Sequence, residues 1–387
     1  MFKASVRGLF FDGGGVKHIF IIGSKGLPAH HGGFETFVEN LTAKKKNENI
    51  QYHISCLNSA EKTFKHNGAN CFGINVPNWL GSAKAVIYDI LALRKSIRFI
   101  KQNNFQNSVI YILASRIGLF ISLHKKQLKS LGIKLLINPD GLEFKRKKYN
   151  WLIRRYWKIS ERYSVKNADL VVCDSREIQK YIENEYEKFK PKTKFIAYGA
   201  DLAKSQISDD DLELQNWYSK NNIRPYEFYL VVGRNIPENN FDTIISEFNK
   251  SNSQKKLVII SNIKHQFKGK TIFAGALYNQ ELLRKIREQA FGYIHGHSVG
   301  GTNPSLLEAM ASTKLNLLFD ICFNREVGKN AVLYWSKEKG SLAKLIDEAD
   351  KMQEQEIEDL GNLAKSRIEK EYSWEMVVGE YEELYGQ

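Results

Sequence analysis

Short apolar segments alternate with longer helical segments along most of this chain, in two successive cycles. In the first cycle, strands are predicted at 18–22, 52–57, 109–113, 134–138 and 170–173, and helices at 33–46, 117–131 and 176–187. In the second, strands are predicted at 228–232, 257–260, 271–273, 292–295 and 315–319, and helices at 240–250, at 280–289 and from Ser305. Strands separated by helices are typical of parallel sheets covered on both faces. The pattern predicts an α/β chain with two doubly wound, Rossmann-like domains facing across a cleft.

Breaks in this pattern give the domain boundaries. Residues 1–15 are expected to be an extension outside the fold, because the glycine-rich break at 12–15 stands directly before the first strand. The segment 1–11 is too short and too interrupted by polar residues to be a secretory signal. The first domain is placed at 16–200 and the second at 201–370, with the nearly all-helical region from Ser336 onward at the end of the chain. Residues 371–387 are predicted to form a helix that packs back on the first domain. Its apolar residues have the spacing of a core face: Trp374, Val377, Val378, Tyr381, Leu384 and Tyr385.

The bulk property that most restricts the partners of this chain is its formal net charge of +14. Such a charge is compatible with nucleic acid, an anionic membrane face or phosphorylated substrates. The four cysteines stand singly, without metal-ligand spacing, which indicates reduced thiols in a cytosolic protein. No apolar run approaches the roughly 20 residues that span a bilayer.

Basic residues are most concentrated between Lys145 and Lys158, where they interleave with aromatic residues. The aromatic members are Tyr149, Trp151, Tyr156 and Trp157. This composition suits a helix lying on an anionic membrane surface, with aromatic anchors and cationic flanks. A solvated basic helix face is an equally open interpretation.

The segment that says most about function follows the predicted strand 292–295 and reads HGHSVGGTNPSLLEAMA. It joins a strand to a helix through two adjacent glycines, Gly300 and Gly301. A helix that begins there is predicted to direct free N–H groups and the positive end of its dipole at an anion. Glu308, just inside the helix, could reach a hydroxyl-rich part of the same ligand. The segment therefore predicts a ligand that combines phosphate with sugar.

Three further loops carry candidate site residues, and for each a purely structural role is the alternative. Gly32 and Gly33, with Glu35 in the following first turn, could let the backbone approach a diphosphate, or form only a tight turn. In the loop Gly233–Asn240, Arg234 could donate two parallel hydrogen bonds to phosphate oxygens, or it could be an ordinary surface arginine. In NPDGLE, Asp140 and Glu143 could bind or deprotonate an acceptor hydroxyl, or belong to an Asp-Gly turn.

Histidine pairs and one aspartate run raise the question of a metal. His295 with His297, and His30 with His31, lack a third ligand at a sensible spacing, so orienting or packing roles are favoured. Asp209–Asp211 contains a D-x-D pattern, but a helical stretch follows, so helix capping is the stronger interpretation. No bound metal is predicted.

Taken together and in order, these loops resemble the family 4 glycosyltransferases, which have the two-domain GT-B fold. The resemblance runs from about Val16 to Tyr385. More narrowly, the segments IFIIGSKGLPAHHGGFETFVENL, NPDGLEFKR, ADLVVCDS, AYGAD, VVGRNIPENN and HGHSVGGTNPSLLEAMA resemble bacterial rhamnosyltransferases of capsule and cell-wall polysaccharide synthesis. That branch uses dTDP-L-rhamnose as its donor.

The resemblance implies roles for individual residues. Glu308 matches a glutamate that binds the nucleotide sugar's ribose, here deoxyribose, and Arg234 matches the diphosphate arginine. A further glutamate is implied at position 300 and a lysine at position 239, but this chain has Gly300 and Asn239. The missing glutamate argues against common glucose or mannose donors, and Lys25 or Lys145 could supply the missing cation.

The expected site has three groups of residues. Catalytic roles are assigned to Asp140, which would contact the attacking hydroxyl, and to Arg234 and Glu308. Acceptor binding is assigned to Glu143 and Lys145. Donor binding is assigned to Gly32, Gly33, Lys25, Glu238, Asn239, His297, Gly301, Thr302, Asn303, Pro304 and Ser305.

The implied activity is transfer of L-rhamnose, with retention of configuration, to a lipid-diphosphate-linked sugar. It needs no cofactor besides the nucleotide sugar and is expected in the cytoplasm, peripheral to the inner face of the membrane. A UDP- or GDP-linked donor is the alternative. A nucleic-acid-binding protein is disfavoured because no zinc-finger spacing, aromatic RNA-binding motif or basic zipper is present. An NAD-dependent dehydrogenase is disfavoured because the first loop lacks the dinucleotide spacing.

Overall fold

The computed structural model describes residues 15–29, 32–59, 62–146 and 149–386, which divide into two compact units. The first unit includes the chain up to Phe144, then Trp151–Ile196 and the C-terminal residues from Val377. The second unit comprises Lys145–Asn150 and Ala197–Met376. Residues 1–14 of the expected extension lie outside the described residues.

The first unit is built on a sheet in which, within the described residues, eight strands have the order β3-β4-β2-β1-β5-β6-β7-β8. In chain order the strands are β1 (Lys17–Ile22), β2 (Ile50–Leu57), β3 (Thr63–His66), β4 (Ala69–Ile74), β5 (Val109–Leu113), β6 (Lys134–Asn138), β7 (Leu170–Cys173) and β8 (Thr193–Phe195). Neighbouring strands are parallel except β3 and β4, which form an antiparallel hairpin. The central strands are apolar and buried throughout, as both faces of a covered parallel sheet require.

Helices cover this sheet. They are α1 (Gly33–Ala43), α2 (Lys84–Asn103), α3 (Gly118–Ser130), α4 (Trp151–Asn167) and α5 (Arg176–Glu185). Gly118 on α3 allows a close approach to α4, since a Cβ there would lie 1.9 Å from the carbonyl oxygen of Ser160. Ser175 caps α5 by accepting a hydrogen bond from the N–H of Glu177.

The second unit repeats the plan with the strand order β11-β12-β10-β9-β13-β14-β15. Its strands are β9 (Phe228–Val232), β10 (Lys256–Ile260), β11 (Gln266–Lys268), β12 (Thr271–Gly275), β13 (Gly292–His295), β14 (Asn316–Phe319) and β15 (Leu333–Trp335). Only β11 pairs in the antiparallel sense. Its helices are α6 (Leu212–Asn221), α7 (Phe241–Lys250), α8 (Gln280–Glu288), α9 (Pro304–Ser312), α10 (Cys322–Gly328), α11 (Ser341–Ala349) and α12 (Glu354–Glu371).

The strand orders explain where ligands can bind in each unit. In the first sheet β1 lies between β2 and β5, and in the second β9 lies between β10 and β13. The chain therefore leaves each sheet in opposite directions from its first strand, which makes a crevice at the carboxyl ends of those strands. The loops after β1 and β9 begin at these two switch points.

The helix α13 (Trp374–Gly386) begins in the second unit and ends in the first. Within the first unit, the hydroxyl groups of Tyr381 and Tyr111 are hydrogen bonded at 2.9 Å, and Tyr385 packs edge-on against Tyr52. The predicted core-face residues of this helix are all buried. None of the helices in the described ranges is long and apolar enough to cross a membrane.

Among the elements of the first unit that the sequence interpretation did not include are the hairpin of β3 and β4 and the long helix α2. The turn between the hairpin strands is Asn67-Gly68, and both residues have positive φ. This pair is a strong local signal for a two-residue hairpin. Helix α2 buries one apolar stripe, including Ala92, Leu93 and Ile97. Both elements could therefore have been predicted from the sequence.

Candidate functional site

The loops that follow β9 and β13 are tied together by side-chain hydrogen bonds in the second unit. Asn239 donates through Nδ2 to the carbonyl oxygen of Arg234 at 2.7 Å. Its Oδ1 is therefore the atom that faces Nδ1 of His297, at 2.8 Å. Asn239 thus joins the arginine loop to the histidine loop, whereas the family resemblance implies a lysine at this position.

This geometry fixes the proton positions on His297. Because Oδ1 of Asn239 can only accept, Nδ1 of His297 carries the hydrogen. Burial, and secondarily the positive charge of Arg146, lowers the pKa of His297 to about 4, so the ring is neutral near pH 7. The ring also forms a hydrogen bond with the backbone of Val299, and its Nε2 lies beside Gly300. A Cβ at Gly300 would lie 3.3 Å from this Nε2, so glycine leaves room beside it.

Two arginines bring positive charge to this part of the second unit. The charges of Arg146 and Arg234 both lower the pKa of His297, while that of Glu238 raises it. Arg234 is exposed, and Glu238 is buried, with its carbonyl oxygen accepting from both the N–H and the hydroxyl of Ser298. Arg146 was not among the predicted residues, although it lies next to the exposed Lys145. Lys25 belongs to the first unit.

The start of α9 differs from the expectation of free N–H groups. Pro304 has no N–H, and the N–H of Ser305 donates to Oδ1 of the capping residue Asn303 at 2.9 Å. The N–H groups of Leu306 and Leu307 donate to the carbonyl oxygen of Asn303. The first turn therefore satisfies its own donors, and the prediction that they are free for an anion is wrong. The helix dipole and the nearby arginines remain as sources of positive potential.

Glu308 is held by an arginine that sequence reasoning missed. Its Oε2 forms an ion pair with Nη2 of Arg287 at 2.6 Å. The Arg287 side chain is 3% exposed and the Glu308 side chain 29% exposed. A charged residue on the apolar face of α8, beside Leu283 and Ile286, was the available signal. Thr302 is buried, Gly301 is half-buried, and Ser305 bonds to the hydroxyl of Tyr293 at 3.0 Å.

In the first unit, the glycine pair precedes α1 as predicted. Gly32 has φ 119° and ψ 148°, a conformation that is essentially restricted to glycine. A Cβ there would lie 2.0 Å from Oε2 of Glu35. The Glu35 carboxylate accepts a hydrogen bond from the N–H of Lys25 at 2.7 Å and so closes the loop between β1 and α1. Gly33 and the Lys25 side chain are exposed.

The loop after β6 places two carboxylates in the electrostatic field of a half-buried arginine, Arg116. Arg116 donates to Oδ2 of Asp89 at 2.8 Å and to the carbonyl oxygen of Gly23 at 2.9 Å. The charges of Asp140 and Glu143 add to that of Asp89 in raising the pKa of Arg116. Asp140 is half-buried with a positive φ of 63°, and Glu143 is buried. Sequence reasoning did not find Arg116 or Asp89, because each lies in a segment without a recognisable motif.

The aspartate run and His295 have structural roles. Asp211 caps α6 by accepting from the N–H groups of Glu213 and Leu214, which confirms the capping interpretation of the aspartate run. His295 is buried, and burial lowers its pKa to about 3. His30 and His31 lie outside the described residues.

Comparisons with known proteins agree with the fold. Residues 16–201 match a family model described as a domain of unknown function, DUF1972. No curated protein sequence matches the chain. Many solved structures match it, and the three described below each align with nearly the whole of both chains.

Sucrose-phosphate synthase from Thermosynechococcus elongatus has a TM-score of 0.74 at 13% identity, covering 96% of this chain and 98% of that one. HepE from Anabaena, in complex with UDP and glucose, has a TM-score of 0.69 at 11% identity, covering 96% and 100%. An α,α-trehalose-phosphate synthase (UDP-forming) from Burkholderia xenovorans, in complex with glucose-6-phosphate, has a TM-score of 0.69 at 9% identity, covering 96% and 100%. The fold is GT-B. The fold class predicted from the sequence is thereby confirmed.

Proposed function

We propose that this protein is a retaining glycosyltransferase that takes a sugar from a nucleotide diphosphate donor. The observation that carries the proposal is the arrangement around α9 in the second unit. Glu308 lies on α9 with 29% of its side chain exposed, and the charges of Arg234 and Arg146 both act on His297, in the loop between β13 and α9. A carboxylate and two cations associated with one strand, loop and helix suit a ligand that combines ribose with a diphosphate. The fold likeness to nucleotide-sugar enzymes supports the same conclusion.

The proposed chemistry needs stabilisation of the leaving group above all. The bond between C1 of the sugar and the diphosphate oxygen breaks, and its electron pair stays with the diphosphate. Arg234 and Arg146 offset this growing negative charge, so that a metal ion is not required. The acceptor oxygen bonds to C1 on the face that the diphosphate leaves, and its proton passes to the departing oxygen. Asp140 is the proposed contact of the attacking hydroxyl.

We propose dTDP-L-rhamnose as the donor. Gly300 stands where the family resemblance implies a glutamate that holds sugar hydroxyls, and the side chain beside it is the neutral ring of His297. A UDP-linked hexose is the second candidate, because UDP and glucose are bound in the HepE structure.

The proposed acceptor is a lipid-diphosphate-linked sugar at the inner face of the membrane. The first turn of α4 supports this part of the proposal, since Trp151 is 67% exposed and Leu152 59% exposed. Exposed apolar side chains next to Arg154 and Arg155 suit an anionic lipid surface. Lys145 and Glu143 are the proposed acceptor-binding residues.

A panel of nucleotide sugars tests the proposed function. The protein is incubated with dTDP-L-rhamnose, UDP-glucose, UDP-galactose and GDP-mannose, and the released nucleotide diphosphate is measured with and without a lipid-diphosphate-linked sugar. We expect turnover of dTDP-L-rhamnose that increases with acceptor. Turnover of a UDP sugar alone would replace the donor assignment, and no turnover of any donor would overturn the function.

A further inference from the structure

Arg287 is a charged residue in the apolar interior of the second unit. It lies at the end of α8, whose buried face also carries Leu282, Leu283 and Ile286. Only 3% of its side chain is exposed. Removing a guanidinium from water is costly unless its donors find partners of good geometry. The partners of Arg287 therefore indicate what its burial maintains.

These partners lie on α9. Nη2 of Arg287 contacts Oε2 of Glu308 at 2.6 Å and Oγ of Ser305 at 3.4 Å. Ser305 and Glu308 are one helical turn apart, so the guanidinium spans the turn that follows the Asn303 cap. The backbone of Arg287 is also fixed, because its carbonyl oxygen accepts from the hydroxyl of Thr313 at 2.9 Å.

The same contacts leave half of the Glu308 carboxylate available. Oε2 is taken by Arg287, whereas Oε1 has no hydrogen bond to another of the described residues, and 29% of the side chain is exposed. A glutamate on a helix surface ordinarily samples several rotamers. Here one oxygen is anchored from beneath, and the other is held in a single direction toward solvent.

We propose that Arg287 is a positioning residue that presents Oε1 of Glu308 to a ribose hydroxyl of the nucleotide. This inference rests on the proposed function and adds to it the source of ribose recognition. Arg287 also offsets the negative charge of Glu308, which would otherwise repel the diphosphate of the same ligand. A buried cation behind an exposed carboxylate lets one site take both a hydroxyl and an anion.

The test measures discrimination for the ribose hydroxyl rather than affinity alone. Dissociation constants are measured by calorimetry for dTDP and for its 2′,3′-dideoxy analogue, and for UDP and its dideoxy analogue. A hydroxyl that donates to a carboxylate should make the natural nucleotide bind about 10-fold to 100-fold more tightly than the analogue. Arg287→Met is expected to bring this ratio close to one, as is Glu308→Gln.

Arg284→Met is the matched control, because Arg284 lies on the same helix and pairs with Glu281 at 2.8 Å. It is expected to keep the wild-type ratio. Arg287→Lys retains the positive charge at the same position and is the variant to be tested if Arg287→Met does not fold. It is expected to retain part of the ratio, because lysine can reach Glu308 but cannot span the turn to Ser305.

The outcomes separate this inference from the function on which it rests. If the wild-type protein binds neither dTDP nor UDP, the proposed function fails. If the wild-type protein discriminates against the dideoxy analogue and both Arg287 variants discriminate equally well, the positioning role of Arg287 is overturned while the function stands.

Discussion

Asn239 and His297 form a neutral pair where a nucleotide-sugar site ordinarily concentrates charge. The family resemblance implies a lysine at position 239 and a glutamate at position 300, and this chain lacks both. Losing only the lysine or only the glutamate would leave one unpaired charge in a partly desolvated loop, which is unfavourable. Because both are absent, no such unpaired charge remains. Arg234 and Arg146 then remain as the cations whose charge reaches His297.

Arg234 carries the first prediction at the residue scale. Arg234→Ala is expected to lower kcat/KM with the nucleotide sugar by about 10-fold to 100-fold, because a charged hydrogen bond to the diphosphate is lost. Arg234→Lys should recover part of the loss, since lysine keeps the positive charge but cannot donate two parallel hydrogen bonds. Arg224→Ala, at an exposed position of the same unit, is the control. Wild-type kinetics in Arg234→Ala would contradict the assigned role.

The buried pair His18 and His53 predicts how stability depends on pH. Nδ1 of His18 and Nε2 of His53 are 3.0 Å apart, and His53 stacks on Phe20. Burial, and secondarily the charge of His18, lowers the pKa of His53 to about 3 in the folded protein. The unfolded chain takes up this proton near pH 6.5, so stability is present above that pH and is lost as the pH falls toward 3.

One such histidine costs about 2 kcal/mol between pH 6.5 and pH 5. His295 and His297 shift in the same direction and add to the loss. Urea unfolding at several pH values measures the slope, and His53→Phe is expected to reduce it by about one proton. An unchanged slope in this variant would show that His53 does not carry the effect.

At the scale of elements, the sequence indicated α9 well and its partner α8 incompletely. The start of α9 follows from Asn303-Pro304, a capping residue before a proline at the first helical position. The ion pair between Glu308 and Arg287 joins two helices that β13 separates along the chain. No local pattern specifies such a contact, so Arg287 could be identified as unusual from the sequence but not assigned a partner.

The first turn of α4 carries a prediction about membranes. Trp151→Glu with Leu152→Glu is expected to weaken binding to phosphatidylglycerol vesicles by at least about tenfold, because two apolar side chains can no longer be buried. Co-sedimentation with vesicles measures this, with phosphatidylcholine vesicles for comparison. Trp79→Glu is the matched control, since Trp79 is 83% exposed on the same unit but outside α4. Equal loss in both variants would rule out a specific role for α4.

At the scale of the whole molecule, the alternation of strands and helices was sufficient to predict the fold class. Parallel strands buried on both faces leave a strong apolar signal, and β1, β5, β9 and β13 were all located in this way. The buried polar contacts of Arg116 and Arg287 could not be predicted, because they depend on how distant segments pack. Candidate site residues could therefore be proposed from the loops, whereas the residues that support those loops could not.

The division into two units predicts the course of thermal unfolding. Each unit has its own buried core, so calorimetry is expected to resolve two transitions. Because the proposed nucleotide site lies in the second unit, dTDP at 100 times its dissociation constant should raise one midpoint by about 5–10 °C. At the same dTDP concentration, Arg234→Ala should reduce this shift to about half or less, which assigns the transition. Equal shifts of both midpoints would contradict a site confined to one unit.

The position of α13 has a consequence for how the protein is made. Tyr381 and Tyr385 complete the interior of the first unit against Tyr111 and Tyr52, yet the ribosome delivers them after the entire second unit. Until then, a strip of the first unit's interior has no cover, and its closure joins residues far apart along the chain, which slows folding. All residues of the second unit are therefore synthesised before the last residues of the first, and we expect the usual order of folding, beginning with the N-terminal domain, to be reversed.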